Sequence, residues 1–295
     1  MKILLADDDR VALLYLQDAL QDWGYEVVLA HDGATALAIL QGPDAPVLAV
    51  IDWMMPGMDG TDICRRLRAG NAEHYTYVLM LTARTETSCI VEAMNAGADD
   101  FVSKPFNIEE IQVRIKAGRR ILELEHELRR RATHDVLTGL YNRGAIIGIL
   151  ENELARHARD KRPVAVVFCD LDHFKRINDG FGHQAGDEVL RVVARRIDAM
   201  LRPYDSVGRY GGEELLVVLP ACTAGGAIEV AERIRASVAE EAVGTPYGEV
   251  SVTLSLGVAV AEGGTAALLD ELLRRADNAL YEAKRKGRNR VELAP

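Results

Sequence analysis

The chain has 295 residues, 48% of them hydrophobic and 27% charged, and its 45 acidic against 35 basic residues give a formal net charge of −10. This balance is typical of a globular chain of about two domains, and it excludes a disordered chain, a collagen-like fibre and a disulfide scaffold. An acidic chain with only 5% aromatic residues is poorly suited to nucleic acid or to an anionic membrane surface, so we expect neither as a partner.

The sequence also indicates a compartment. No apolar run is long enough to span a bilayer, and acidic residues follow the first apolar run too soon for a signal peptide. The cysteines are scattered and form no CxxC pair, which argues against a zinc site or a disulfide framework. We therefore expect a cytoplasmic protein with reduced thiols at Cys64, Cys89, Cys169 and Cys222.

The first half of the chain alternates short apolar runs with helical patterns such as Val11–Trp23 and Thr61–Arg68. The runs are continuous rather than alternating, which is typical of strands buried on both faces. Their order predicts an α/β fold with a doubly wound, five-stranded parallel sheet, in which ligands bind at the carboxyl ends of the strands. The predicted strands are Ile3–Ala6, Val27–Ala30, Val47–Ile51, Val78–Thr82 and Phe101–Ser103.

Polar residues stand at the carboxyl ends of four of these strands. They are Asp7 and Asp8, Asp52, Thr82 and Lys104. Clustered carboxylates repel one another and need a hard cation such as Mg²⁺, while a lysine and a hydroxyl group would stabilise the oxygens of an incoming phosphoryl group. Any one of these residues alone is more typical of a surface position or a helix cap.

The segments ADDD, DWMMPGMDG, LTA and KPF lie at these strand ends, and together they resemble the response-regulator receiver family over residues 1–122. The resemblance implies a flavodoxin-like fold in which Asp52 accepts a phosphoryl group and Asp7 and Asp8 hold Mg²⁺. It also implies a phosphodonor partner, either a cognate histidine kinase or a phosphotransfer protein. A receiver acts as a switch, because a local change of charge biases a bistable surface.

Other receiver positions follow from the same resemblance. Thr82 and Lys104 would contact the acyl phosphate, and Phe101 would be the switch aromatic residue. Pro105 fits the family's cis-peptide position. Because Trp53 adjoins the phosphoacceptor, we expect its fluorescence to change when Mg²⁺ and a phosphate mimic bind.

Between the two halves, the segment from Ile108 to Ala132 is rich in charge and carries two helical apolar stripes. The offset between the stripes is typical of a coiled-coil stutter. We predict a self-associating helical stalk over residues 123–134; the alternative is a receiver helix that runs into a solvated linker. The stripes consist of Ile108, Ile111 and Ile115, then Ile121, Leu124 and Leu128.

From Asp135 onwards the sequence predicts a second α/β domain, over residues 135–295. Gly211 and Gly212 predict a tight hairpin turn, because glycine adopts positive φ without strain. The predicted helices are Gly144–Arg159, Asp187–Leu201, Ala224–Ala239 and Leu268–Lys284. The predicted strands are Val164–Cys169, Leu215–Leu219, Val250–Val260 and Arg290–Leu293.

Acidic residues converge in this domain if the strands beside the hairpin pair. Asp170 ends the strand Val164–Cys169, and Glu213 and Glu214 follow the hairpin glycines. Carboxylates that meet at a tight turn are typical of a Mg²⁺ site for phosphoryl transfer. The pattern is weak by itself, because exposed acidic hairpin tips are common.

Four further segments remove that ambiguity: HDVLTGLYNR, FCDLDHFKRINDGFGHQAGDEVL, RYGGEEL and YEAKRKGRN. Their order and spacing resemble the GGDEF family of diguanylate cyclases, from Asp135 to the end of the sequence. The resemblance implies a nucleotidyl-cyclase-like α/β fold with a mixed central sheet. It also implies that two GTP are joined into cyclic di-GMP with release of pyrophosphate. Because one domain would hold one GTP, the enzyme would act as a homodimer.

The resemblance carries catalytic roles onto matched positions. Asp170 and Glu213, with the carbonyl group of Leu171, would ligate Mg²⁺ or Mn²⁺. Glu214 would ligate a second ion or help to deprotonate the attacking hydroxyl group. Lys175 would stabilise charge on the reacting phosphate.

Other matched positions would bind GTP. Asn178 and Asp187 would recognise guanine. A carboxylate can accept hydrogen bonds from both the N1–H and the N2–H₂ group of guanine, and adenine lacks this pair of donors. Lys284 and Arg288 stand four residues apart at a helix end and would clamp the triphosphate.

The remaining motif positions are less distinctive. His173 and Phe174 are expected beside the substrate, with packing inside the loop as the alternative for the histidine. Leu215 departs from the family, which usually has Phe there. As a packing position at the start of a predicted strand, it is expected to tolerate the smaller side chain, so we expect an active enzyme.

A product-binding site is expected outside the active site. The spacing of Arg202 and Asp205 to Gly211 matches the family's inhibitory RxxD site, and arginine can bind phosphate and stack on guanine. Arg156 and Arg233 would complete that site. The alternative is a surface ion pair, which contributes about 0–1 kcal/mol.

Three functions fit these patterns. The leading hypothesis is a phosphorylation-controlled diguanylate cyclase with product feedback inhibition. A catalytically degenerate GGDEF protein that acts as a cyclic di-GMP receptor is the alternative, and the intact Asp170 and Glu213 argue against it. A cyclase that also uses ATP is disfavoured by Asp187.

Overall fold

The structure, a computed structural model of the chain, describes residues 1–70, 75–83, 86–262 and 269–295. Its internal contacts divide the chain into two compact units, Met1–Leu128 and Arg129–Pro295. Within the described part of the chain, no helix combines the length and the apolar character needed to cross a membrane.

The first unit is built on a parallel sheet of five strands in the order β2-β1-β3-β4-β5. Its strands are β1 (Lys2–Ala6), β2 (Glu26–Ala30), β3 (Leu48–Asp52), β4 (Tyr77–Thr82) and β5 (Asp100–Ser103). Its helices are α1 (Arg10–Asp22), α2 (Gly33–Leu40), α3 (Gly60–Ala69), α4 (Thr87–Ala96) and the greater part of α5 (Ile108–Thr133). The predicted doubly wound sheet is confirmed.

Apolar clusters cover both faces of this sheet, as continuous apolar strands require. Every residue of β3 and β4 is buried. On one face α5 approaches the sheet closely at Gly118, where a Cβ atom would lie 2.5 Å from the ring of Tyr77. The sheet therefore presents its polar groups only where strands end.

The second unit has a mixed sheet of five strands in the order β12-β11-β6-β8-β7, with a separate β9–β10 hairpin. Its strands are β6 (Val164–Leu171), β7 (Ser206–Gly211), β8 (Glu214–Pro220), β9 (Val243–Thr245), β10 (Gly248–Val250), β11 (Leu254–Ala261) and β12 (Val291–Leu293). Its helices are α6 (Arg143–Asp160), α7 (Phe174–Phe181), α8 (His183–Ala199), α9 (Ala224–Glu240) and α10 (Leu269–Arg285). The predicted mixed α/β architecture is confirmed.

Central strand β6 pairs antiparallel with both β8 and β11, and all eight of its residues are buried. One apolar cluster lies on each face of the sheet. Helix α10 packs against β11 at Gly257, where a Cβ atom would lie 2.2 Å from the carbonyl oxygen of Ala276 and from the backbone nitrogen of Leu280. Gly257 therefore allows α10 to lie directly on the sheet.

Side chains typical of N-caps fix several helix starts in both units. Each accepts a hydrogen bond from a backbone N–H group in the first turn of its helix, which satisfies a donor that has no partner within the helix. The capping residues are Asp9 for α1, Asp32 for α2, Asn142 for α6 and Thr223 for α9.

Several predicted elements of the second unit are corrected. The single strand Val250–Val260 is wrong, because β10 ends at Val250 and β11 begins at Leu254. The residues between them leave the ladder, and the Thr253 hydroxyl group bonds a side chain outside the sheet. Helix α8 begins at His183 rather than at Asp187. The predicted start of the last helix, Leu268, lies outside the described residues.

The hairpin turn is displaced by one residue from its predicted position. Gly211 is the last residue of β7 and pairs with Glu214, so Gly212 and Glu213 form the turn. Gly212 has a φ of +39°, the left-handed conformation that glycine adopts readily. The two glycines therefore have different roles, one in the ladder and one in the turn.

The predicted stalk residues lie on α5, which runs without interruption from Ile108 to Thr133. Ile121, Leu124 and Leu128 are 47%, 56% and 68% exposed, respectively. The domain limits 1–122, 123–134 and 135–295 remain predictions, since the division into compact units falls inside this helix.

Candidate functional sites

The first candidate site lies at the carboxyl ends of β1, β3 and β5. Asp7 and Asp52 are buried, and the ammonium group of Lys104 lies 2.7 Å from Asp7 Oδ2 and 2.6 Å from Asp52 Oδ1. The backbone N–H of Met54 donates to the other oxygen of Asp52. The predicted strand-end cluster therefore forms, with one lysine bridging two carboxylates.

This acidic cluster fits a divalent cation. Burial raises the pKa of Asp52, which means that its ionised form needs a compensating charge. Asp7, Asp8 and Asp52 each offer an oxygen, and these oxygens lie within 4.8 Å of one another. Asp8 is exposed, so the cluster opens to solvent on one side. Oxygen-only ligands of this kind suit Mg²⁺.

The other predicted receiver residues surround the cluster. Thr82 is buried at the end of β4, and its carbonyl oxygen accepts a 2.6 Å hydrogen bond from the N–H of Lys104. The predicted cis peptide bond between Lys104 and Pro105 is confirmed. Phe101 is partly buried against the core, and Trp53 is 4% exposed.

The second candidate site lies where β6 and β8 end beside the hairpin turn. Asp170 stands opposite Glu214 in the β6–β8 ladder, and the N–H of Leu171 donates to the carbonyl oxygen of Glu213. Lys284 extends from α10, and its ammonium group lies 2.7 Å from Asp170 Oδ2. The fold therefore brings Asp170, Leu171 and the backbone of Glu213 together with one predicted phosphate ligand, Lys284.

Electrostatics at this site favour a bound cation. Burial raises the pKa of Asp170, against the opposing hydrogen bond and charge of Lys284. Burial also raises the pKa of Glu214, and repulsion from Asp170 adds to that rise. Two carboxylates that repel each other in a partly buried site fit Mg²⁺ or Mn²⁺, which would relieve the repulsion.

The predicted guanine-binding residues lie on adjacent helices. Asn178 belongs to α7 and Asp187 to the first turns of α8. The carboxamide group of Asn178 packs on Gly186, where a Cβ atom would lie 2.0 Å from its Oδ1. Phe174 is 8% exposed and belongs to the core of this unit. The sequence of α7 has a weak preference for a helix, so the burial of Phe174 is what stabilises it.

Lys175 and His173 are both exposed at the start of α7. His173 has a φ of +59°, a left-handed conformation that is uncommon for a residue with a side chain. Arg288 is also exposed, in a turn that follows α10, and has a φ of +64°. The predicted roles of these residues remain proposals.

Arg209 holds the hairpin turn; it belongs to the segment RYGGEEL, but the sequence analysis assigned it no role. Its guanidinium group donates to the carbonyl oxygen of Gly212 at 2.9 and 2.8 Å, and to both oxygens of Asp135 at 3.2 Å. Asp135 also accepts from the backbone and hydroxyl groups of Thr138. The start of the predicted second domain is thereby bonded to the turn that carries Glu213.

The predicted product site is partly assembled. Arg202, Asp205 and Arg233 line one cavity of about 240 Å³. Asp205 accepts from the N–H of Arg202, while Arg233 donates to the carbonyl oxygen of Met200. Arg156 does not line this cavity; it lines a second cavity of about 600 Å³, which Arg202 also borders.

Comparisons with known proteins cover both units. The family model described as a response regulator receiver domain matches residues 3–116. The family model described as diguanylate cyclase, GGDEF domain, matches residues 132–290. The two matches occur in the order that the sequence motifs indicate.

Two curated relatives are similar to parts of the chain. Response regulator PleD of Caulobacter vibrioides is 35% identical over 254 residues, which is 83% of this chain and 56% of that protein. Diguanylate cyclase DgcP of Pseudomonas aeruginosa is 44% identical over 166 residues, which is 56% of this chain and 24% of that protein. The chain thus spans little more than half the length of the first relative and less of the second.

A solved structure of a GGDEF protein is also similar to part of this chain. The coiled coil and GGDEF domain of DgcB from Caulobacter crescentus, solved in complex with c-di-GMP, matches with a TM-score of 0.58 at 33% identity. That match covers 63% of this chain and 98% of the DgcB chain. With the family model matching residues 132–290, more than half of the sequence, the chain belongs to the GGDEF family of diguanylate cyclases and carries a response-regulator receiver domain before its GGDEF domain.

Proposed function

We propose that the protein is a phosphorylation-regulated diguanylate cyclase that converts two GTP into cyclic di-GMP and two pyrophosphate. The observation that carries this proposal is the meeting of Asp170, Glu214 and Lys284 at the end of β6. A degenerate receptor would have no need for a buried carboxylate that contacts a lysine beside a second, partly buried acid. The names of the relatives support the same activity.

A divalent ion bound by Asp170 and Glu213 would polarise the α-phosphate and lower the pKa of the attacking hydroxyl group. In each transfer, a 3′-oxygen forms a bond to the α-phosphorus, the bond from that phosphorus to the bridging oxygen breaks, and pyrophosphate leaves. Glu214, which stands opposite Asp170 in the β6–β8 ladder, would either ligate a second ion or accept the hydroxyl proton.

The remaining residues would bind and orient the substrate. Asn178 and Asp187 would bind the guanine edge, and Lys284 and Arg288 would bind the phosphates. Lys284 would exchange its contact with Asp170 for a contact with phosphate as nucleotide and cation bind. Lys175 would stabilise charge on the reacting phosphate from the exposed start of α7.

Regulation would act through assembly. The product has two-fold symmetry, and two half-sites must face each other to form it. Holding both reactants in place can lower a barrier by about 7–11 kcal/mol, so control of dimerisation is an efficient control of rate. The exposed Ile121, Leu124 and Leu128 on α5 are the surface that we propose for self-association.

Phosphorylation of Asp52 by a histidine kinase or a phosphotransfer protein would bias that assembly in the cytoplasm. Loss of the Lys104 contacts to Asp7 and Asp52 would be the local event, since a phosphoryl group would attract the same ammonium group. Cyclic di-GMP would bind the cavity of Arg202, Asp205 and Arg233 and inhibit the enzyme.

The decisive experiment measures cyclic di-GMP formed from GTP and Mg²⁺, with and without a phosphate mimic, over a range of protein concentrations. We expect product, activation by the mimic and a rate per chain that rises with concentration. Glu213→Gln should abolish turnover, whereas Glu271→Gln, the same change on the exposed face of α10, should not. Binding of cyclic di-GMP without any turnover of GTP would instead support the receptor function.

A further inference from the structure

Asp172 is a buried carboxylate to which the sequence analysis assigned no role. It lies two residues after Asp170 and is 5% exposed. It accepts hydrogen bonds from the hydroxyl groups of Thr253, at 2.6 Å, and Ser255, at 2.7 Å, and from the backbone N–H of Asn289, at 3.0 Å. A buried carboxylate with three donors is a strong anchor, because hydrogen bonds to a charged group are worth more than neutral ones.

The third donor belongs to the turn that follows α10. Asn289 has a φ of +45° and Arg288 has a φ of +64°, so two consecutive residues with side chains adopt the left-handed conformation. This conformation is unfavourable for residues other than glycine, and it persists only where the surroundings hold it. The turn therefore needs external bonds to keep this conformation.

A second anchor comes from α9. The guanidinium group of Arg235 donates to Asn289 Oδ1 at 2.9 Å and to Glu232 at 2.7 Å, and the Arg235 side chain is 25% exposed. The turn is thus held from both sides, with Asp172 bonding the backbone of Asn289 and Arg235 bonding its side chain.

The turn carries a residue of the proposed active site. Arg288 lies in this turn, between Gly287 and the anchored Asn289, and its N–H donates to the carbonyl oxygen of Ala283. Arg288 lies four residues after Lys284, whose ammonium group is 2.7 Å from Asp170 Oδ2, and directly before Asn289, whose N–H donates to Asp172. Arg288 therefore lies near the site where the phosphates would bind.

We propose that Asp172 and Arg235 are positioning residues that hold the left-handed turn at Arg288 and Asn289, so that Arg288 faces the β- and γ-phosphates of bound GTP. This inference rests on the proposed function and extends it to two residues to which the motifs assign no role. Neither residue touches substrate; both act through Asn289.

The test uses the full-length protein and a non-hydrolysable GTP analogue, with GMP as the probe that lacks the outer phosphates. Arg235→Gln removes the contact to Asn289. We expect its Kd for the GTP analogue to rise about tenfold, the effect of losing one charge-assisted hydrogen bond, while its Kd for GMP stays unchanged. A structural defect would weaken both ligands alike.

The control is Arg274→Gln, because Arg274 also bonds the glutamate three residues before it but is 64% exposed on α10. Asn289→Ala, at an exposed position, should reproduce the selective loss. In a double-mutant cycle the two changes should be non-additive, since they remove the same bond. Equal affinity of Arg235→Gln and Arg274→Gln for the GTP analogue, or additive losses, would overturn the positioning role.

The proposed function and this inference fail differently. If the wild-type protein binds no GTP analogue and forms no cyclic di-GMP, the proposed function is wrong. If the wild type does both and Arg235→Gln matches it in the ratio of GTP-analogue to GMP affinity, only the positioning role is wrong.

Discussion

Replacing Gly186 with alanine is expected to weaken GTP binding and leave the fold intact. An alanine Cβ at this position would lie 2.0 Å from Oδ1 of Asn178 and 3.2 Å from Cζ of Phe174. The first distance is far below van der Waals contact, so one group must move. Asn178 Oδ1 is the end of a flexible side chain, whereas Phe174 belongs to the core. We therefore expect the carboxamide group to rotate away while the helices keep their packing.

The magnitudes follow from that geometry. Overpacking a site costs about 1–3 kcal/mol, and glycine to alanine inside a helix returns about 1 kcal/mol. The free energy of unfolding should therefore fall by no more than about 2 kcal/mol. Losing one hydrogen bond from Asn178 to guanine costs about 1 kcal/mol, which is about fivefold in Kd.

Titration calorimetry with a non-hydrolysable GTP analogue measures the Kd, and urea denaturation measures the stability. Gly148→Ala is the matched control, because Gly148 is also helical and a Cβ there would have nothing within 4 Å. It should bind the analogue like the wild type. If Gly186→Ala also binds as tightly as the wild type, the proposed contact between Asn178 and guanine is refuted.

Three further predictions concern other parts of the chain. Mg²⁺ and a phosphate mimic should change the fluorescence of Trp53, because this buried indole adjoins Asp52, whose surrounding charge the two ligands alter. Gly118→Ala should lower the free energy of unfolding by about 1–2 kcal/mol in urea denaturation, because its Cβ would lie 2.5 Å from the buried Tyr77 ring and the higher helix propensity of alanine returns only about 1 kcal/mol. At Asp135, burial acts to raise the pKa, but hydrogen bonds from a threonine and an arginine outweigh it and lower the pKa below 3.8. The ionised Asp135 carboxylate therefore stabilises the folded protein above that value. The wild type should have a higher free energy of unfolding than Asp135→Asn, and this difference should shrink as the pH falls below about 4.

Each of these three predictions would be contradicted by a specific result. A fluorescence signal that is flat in the wild type, or that persists in Trp53→Phe, contradicts the first. Wild-type stability of Gly118→Ala would mean that the aromatic ring moves aside without cost. A difference between the wild type and Asp135→Asn that stays constant from about pH 6 to about pH 3 would exclude the role given to that carboxylate.

The receiver half was predictable because its signals are local. Five continuous apolar runs defined the sheet, and the order of a parallel α/β fold then required Asp7, Asp52 and Lys104 to meet at one edge. In the other half, β7 was missed because its sequence, SVGRYG, contains two glycines and an arginine and forms an edge of the sheet. Edge strands need fewer apolar residues than central ones, so their periodicity is weak.

Helix α7 and Asp172 show a second limit of sequence reasoning. The segment FKRINDGF contains a glycine, an asparagine and an aspartate, which are poor helix formers; the burial of Phe174 and Ile177 makes it helical. The partners of Asp172 stand 81 to 117 residues away in the sequence. Only the folded sheet and the turn after α10 bring them together, so no spacing rule could have identified this residue.

The contact of α10 with β11 at Gly257 has a consequence for how the site could evolve. Any side chain there would lift the helix off the strand, and with it the lysine that now reaches Asp170. The reach of Lys284 is thus set by a residue that has no reactive group and lies within the sheet. Substitutions of Gly257 would therefore be selected against as strongly as substitutions of the active-site carboxylates, although Gly257 serves only the packing of the helix on the sheet.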